Sequence, residues 1–194
     1  RLAVDNNNYL ALNNAGFGLI TGGGSTVFEM SQGSFNAAIA GLELISADEV
    51  IIQYANASGL VAANTTIGVG EITYTFGQAI ESNTVAFGVK GFSTSVADFV
   101  GLSGDFGFKK QGGNLIAVGN NTSAFLQAGS VAGVSLTNAK FGLIAGQGQM
   151  AFEMSEGSFA ANIASLASVS ADSVFIQYTN STTSVEAATS ISVG

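Results

Sequence analysis

The chain has 194 residues, enough for one large domain or two small ones around a real core. It contains no His, Cys, Trp or Pro, which removes imidazole bases, thiolate nucleophiles and the soft ligands of structural zinc, copper and iron-sulfur sites. Only 9% of residues are charged, the formal net charge is -8 and five residues are basic, so the phosphate neutralisation that nucleic-acid binding needs is missing.

Taken in chain order, the sequence alternates short apolar runs with turn signals. After the polar opening "RLAVDNNNYLAL", Phe17–Ile20 leads into "TGGGS" (21–25), and Val27–Ser31 follows with Phe28 and Met30 on one side and Val27, Glu29 and Ser31 on the other. Residues 34–50 offer Ala and Leu at helical spacing. Their later counterpart, 158–174, replaces Glu43 and Leu44 by Ala and Ser, so strand is favoured over helix there. Val50, Ile52 and Tyr54 alternate again before "ANASG" (55–59). Further on, "KQGGN" (110–114), "GNNTS" (119–123) and "AGQGQ" (145–149) read as turns, and 141–154 reads as one β-hairpin. The uncharged stretch 111–139 is interrupted by Gly, Asn, Ser and Gln, which predicts no membrane-spanning helix. An antiparallel meander of strands of roughly five to twelve residues is expected.

A duplication organises all of this. Residues 15–70 align without a gap on 139–194, an offset of 124, with 32 of 56 positions identical. "VFEMSQGSF" (27–35) thereby returns as "AFEMSEGSF" (151–159), and Ile52-Gln53-Tyr54 as Ile176-Gln177-Tyr178. The segment 85–110 repeats the same landmarks more faintly. Equating Phe28, Phe87 and Phe152 gives an expected sub-unit of about 62 residues, half the repeat. The expected divisions are 1–70 as one repeat unit, 71–124 as a divergent middle unit and 125–194 as the second copy of the first. A chain that starts and stops in mid-pattern is expected of a piece of a longer tandem array.

The candidate chemistry is thin. Glu29 and Glu153 occupy equivalent positions and invite a glycosidase reading, but position 32 is Gln where 156 is Glu, so no second carboxylate is shared. They are expected to be solvent-facing guards against aggregation, with "GS" after them as a turn. Asp48 and Asp172 are expected to fix turns. Calcium is the sharper alternative for them, although no D-x-D-x-D-G loop is present. "TGGGST" lacks the Lys of a phosphate loop and reads as a hairpin turn. Sequons stand at Asn56, Asn64, Asn120, Asn121 and Asn180. No catalytic, cofactor-binding or metal residue is assigned, and no enzymatic activity is expected.

At "GVSLTNAKFGLIAG" (133–146), "FEMSEGSF" (152–159), "ASVSADSVFIQYTN" (167–180) and "FVGLSGDFGFKK" (99–110) the chain resembles the tandem β-repeat modules of very large bacterial secreted or surface proteins. The resemblance implies an extracellular, repetitive, adhesin- or matrix-like protein. The expected fold is all-β, antiparallel β-meander repeats forming an elongated rod or solenoid-like structure, with tandem β-sandwiches as the alternative. The expected function is a structural module of a rod, stalk or filament at the cell surface, whose partners are copies of itself or neighbouring repeats. An adhesin repeat binding glycan or another cell is the alternative. A lipid-carrying groove would require a continuous apolar face open to solvent. Tyr54 and Tyr178 are read as framework residues.

Overall fold

The computed structural model describes residues 2–3, 5–38, 45–96, 99–111, 113–129, 132–163, 168–180 and 191. Within them the chain forms strands β1 (Leu2–Ala3), β2 (Tyr9–Asn13), β3 (Gly16–Gly22), β4 (Ser25–Ala38), β5 (Ile45–Ala55), β6 (Thr66–Val69), β7 (Ile72–Thr75), β8 (Thr84–Val96), β9 (Val100–Gln111), β10 (Asn114–Ala128), β11 (Ala132–Gly146), β12 (Gln149–Ile163) and β13 (Val169–Thr179). No described residue is helical, and the described parts of 34–50 are strand. Residues 39–44 lie outside the described residues.

Eleven strands make one open antiparallel sheet in the order β1-β2-β4-β5-β8-β9-β10-β11-β12-β13, with β3 beside the other half of β4, while β6 and β7 form a separate hairpin. The fold is therefore all-β and meander-like, as the alternation predicts. A continuous sheet of this kind is not a string of β-sandwiches. It also runs across the expected unit boundaries, since β8 to β10 join β5 to β11 without a break.

The duplication is copied at the level of register. Phe17 pairs with Met30 as Phe141 does with Met154; Phe28 pairs with Tyr54 as Phe152 does with Tyr178; Gly33 pairs with Val50 as Gly157 does with Val174. Strands β2 and β3 are two halves of what is the single strand β11 in the second copy, and β1 is the counterpart of the end of β10. One repeat thus contributes six strands to the sheet.

Several strands are longer than the sequence predicts, up to 15 residues. The reason is that signals read as turns are bulges inside strands. "GNNTS" lies within β10, where the register shifts between Gly119 and Thr122 and Asn121 has φ 50°. The Gly33-Ser34 and Gly157-Ser158 pairs, expected to be turns, also continue their strands; the irregularity just before them falls on Gln32 and Glu156, both at φ 65°. Left-handed residues recur at Asn14, Gly91 and Asn138, so irregular points interrupt strand after strand. Reversal of the chain falls instead at Gly23-Gly24 and Gln147-Gly148, four residues with positive φ that make two-residue hairpin turns of the favoured twist.

Two apolar clusters sit on opposite faces of the sheet. One joins Val27 and Ala55 to Val61, Phe76 and Ile80 of the segment that carries β6 and β7, with Ile20, Ile67 and Tyr74 packed around it. The other groups Ala47, Val50 and Val89 with Leu12, Met30, Phe35, Ile52, Phe92 and Phe106. Fully burying a side chain such as Phe76 stabilises by about 1.5–3 kcal/mol relative to leaving it in water. The segment 56–83 lies outside the main sheet and is held down by its own aromatic and aliphatic residues together with hydrogen bonds from Asn56, Tyr74 and Gly77 to β4.

Candidate functional site

The most developed polar arrangement lies under that segment. Strand alternation puts Val27 and Glu29 on the face of β4 that the segment 56–83 covers, so Glu29 is buried at 3% exposure instead of facing solvent as expected. Its carboxylate is satisfied from three directions. The Gln53 amide donates to Oε2 at 2.7 Å, and the Tyr74 hydroxyl and the Gly77 backbone N–H reach Oε1 at 2.9 and 3.1 Å. Ser31 shares the Tyr74 hydroxyl at 3.0 Å. Burial, the largest effect, pushes the Tyr74 phenol up to about 12. A buried carboxylate is tolerated only when hydrogen-bonded in this way.

Gly18 completes the arrangement. A Cβ there would lie 2.4 Å from the Tyr74 ring and 2.9 Å from Phe76, so only glycine lets the two rings lie against β3. Tyr74 and Phe76 are themselves edge to face, centroids 5.4 Å apart. None of the donors to Glu29 is a second carboxylate, so the paired-acid geometry of a glycosidase does not assemble there. What the cluster does is lock the hairpin onto the sheet.

In the second copy Gln177 donates to Glu153 Oε2 at 2.8 Å, reproducing the Gln53–Glu29 pair, but Glu153 is exposed. A second recurrent device is an asparagine clamp. Asn56 donates to the Gly24 carbonyl at 2.8 Å and accepts from Thr26 N–H at 3.1 Å; Asn180 does the same with Gly148 and Met150 at 2.6 and 3.1 Å. Two of the sequons thus have their amides engaged in pinning a hairpin turn.

Asp48 and Asp172 lie inside β5 and β13, not in turns. The Asp48 side chain occupies the space above Gly91, whose N–H donates to Asp105 at 2.8 Å, and Asp105 also accepts from the Asn121 amide at 3.2 Å. Lys90 and Glu49 form an ion pair at 2.8 Å beside them. Among the described residues no three acidic side chains come together as a metal site would require.

The face opposite Glu29 is broad and apolar. Leu19, Phe28, Tyr54, Val85 and Leu115 fall in one cross-strand row, broken by Lys110 between the last two, and Phe17, Met30, Ile52, Phe87, Phe108, Ala117, Leu143, Phe152 and Tyr178 in the next. Phe17, Val85, Phe87 and Phe108 are exposed, as are Tyr54 and Tyr178, so these tyrosines are surface residues at a copied position rather than core framework. No described helix is long and apolar enough to cross a membrane. The chain matches no protein-family model, no curated protein and no solved structure.

Proposed function

We propose that the chain is a structural repeat module of a long extracellular protein, building a rod, stalk or filament by continuing one sheet from repeat to repeat. The observation that carries this reading is the duplicated register within an unbroken sheet. The second copy adds to the first through β8 to β10 with its strand pairs intact, so the same step can be made again. The composition supports a place outside the cell: surfaces of Ser, Thr, Asn and Gly with 9% charge and no cysteine fit the secreted repeat proteins that the sequence resembles.

The test is length. Tandem proteins of one, two and three 124-residue units are expected to lengthen by equal increments in small-angle scattering and electron microscopy. Six strands at about 4.8 Å each give roughly 29 Å per unit. Particles that grow in all dimensions, or separate into beads, would sink the proposal. The second reading, an adhesin repeat that contacts glycan, draws on the exposed Tyr54 and Tyr178, whose rings recur on an open face. Glycan-array binding that falls when both are changed to Ala would favour it.

A further inference from the structure

We propose that the face of β11, β12 and β13 around Gly142, Glu153 and Gln177 is a docking surface for a polypeptide segment of the kind formed by residues 71–90, with its Tyr-x-Phe-Gly pattern. This rests on the reading of the chain as a stackable repeat and names what closes each repeat's open side.

The first copy shows what covers such a face. There, Tyr74 lies in the space left by Gly18, Phe76 fills the apolar cluster over Val27, and Glu29 takes the Tyr74 hydroxyl and the Gly77 N–H on Oε1 while Gln53 holds Oε2. The second copy carries the receiving half of this lock. Gly142 stands where Gly18 does, Glu153 pairs across strands with Gln177 as Glu29 does with Gln53, and Gln177 holds Oε2 at 2.8 Å. Among the described residues Glu153 accepts from Gln177 alone, and it is exposed where Glu29, which also receives Tyr74 and Gly77, is buried.

The face around Gly142 is not bare. Ile191, the repeat counterpart of Ile67, places its Cδ1 3.0 Å from the Cβ position above Gly142, the space that the Tyr74 ring takes above Gly18 in the first copy. Among the described residues no aromatic ring accompanies it there. Among the described residues no strand pairs with the outer edge of β13, whereas the outer edge of its counterpart β5 is paired with Thr84–Val89 of β8. In the first copy residues 71–90 supply both: the Tyr74-Thr75-Phe76-Gly77 lock, and the strand that follows it along the edge. An occupant of this chemistry would bury the Glu153 carboxylate with its hydrogen bonds made, place a ring on Gly142, and extend the sheet by one strand.

The experiment uses the full chain and a synthetic peptide with the sequence of residues 71–90, followed by titration calorimetry and by NMR of the labelled chain. Saturable one-to-one binding is expected, with shifts centred on Gly142, Glu153, Gln177 and the β13 edge. Changing Phe76→Ala in the peptide, or Glu153→Gln in the chain, is expected to weaken binding at least about tenfold, as loss of a buried aromatic or of hydrogen bonds to a charged acceptor does. Gly142→Ala is expected to abolish it, because the methyl group fills the space that Ile191 must leave for the ring to enter. Glu153 is exposed, so Glu153→Gln leaves the fold intact, and circular dichroism checks this. Absence of binding overturns the proposal. So does binding that the Glu153→Gln and Gly142→Ala chains retain in full, which would show the peptide exchanging into the first copy or adhering to the apolar face. Either failure leaves the length increments of the tandem proteins unaffected, so it is distinguishable from failure of the rod reading.

Discussion

At the scale of single residues, Glu29 shows how far strand alternation reads and where it stops. Period two correctly separates Phe28 and Met30 from Val27 and Glu29, but it says nothing about which side another part of the chain covers. The covering residues, Tyr74 and Phe76, lie far along the sequence, and nothing local marks them as partners of Glu29. The repeated Glu–Gln cross-strand pair was the available signal. Tyr74→Phe removes one donor to the buried carboxylate and is expected to cost about 1.5–3 kcal/mol in chemical denaturation, the range for hydrogen bonds to charged groups. Because folding raises the Tyr74 phenol from its ordinary 10.0 to about 12, its contribution is present below pH 10 and lost as the pH rises from there through about 12. Wild-type stability is expected to fall over that window more steeply than that of Tyr74→Phe. Thr84 offers the opposite case: its hydroxyl is buried with no hydrogen-bond partner among the described residues. Thr84→Val, similar in shape and without the polar group, is expected to raise stability by about 1 kcal/mol, measured as a higher denaturation midpoint.

At the scale of elements, the hairpins were legible and the bulges were not. Both are written with Gly, Asn and Gln in left-handed conformations, so "TGGGS" and "GNNTS" look alike in sequence although one reverses the chain and the other bends a strand that continues. Only pairing with a neighbour distinguishes them. The bulge at Gln32 gives an element-scale expectation. Gln32→Gly removes the cost of a side chain at φ 65°, whereas Gln32→Val adds a branched Cβ that resists this conformation. The glycine variant is expected to unfold at equal or higher denaturant than wild type, and the valine variant to lose about 1–2 kcal/mol. Gly33 beside it carries the tighter constraint, since a Cβ there would lie 2.7 Å from that of Ala15, as one at Gly157 would lie 2.8 Å from that of Ala139. The sequence repeats these glycines but does not say that a neighbouring strand presses on them.

At the scale of the whole molecule, residues 124 positions apart in the sequence pair in the same registers. The offset could not foretell that the two copies would share one sheet, because strand order is set by which edges meet. In such a sheet an inner strand is stabilised by its two neighbours, so protection from hydrogen exchange is expected to be highest in β8 to β10 and lowest in β1, β3 and β13, which have a neighbour on one side only among the described residues. Equal protection across all strands would mean that β13 is covered in solution. The count of six strands per repeat has a further consequence. In an antiparallel sheet an even number returns the chain to its starting direction, so β12 points the same way as β4 and each copy enters the array as the previous one did. An odd number would have turned every second copy upside down. Units added to the sheet in this way would all run in one direction, so its two margins would differ, and whatever anchors the one could not, by symmetry, also cap the other.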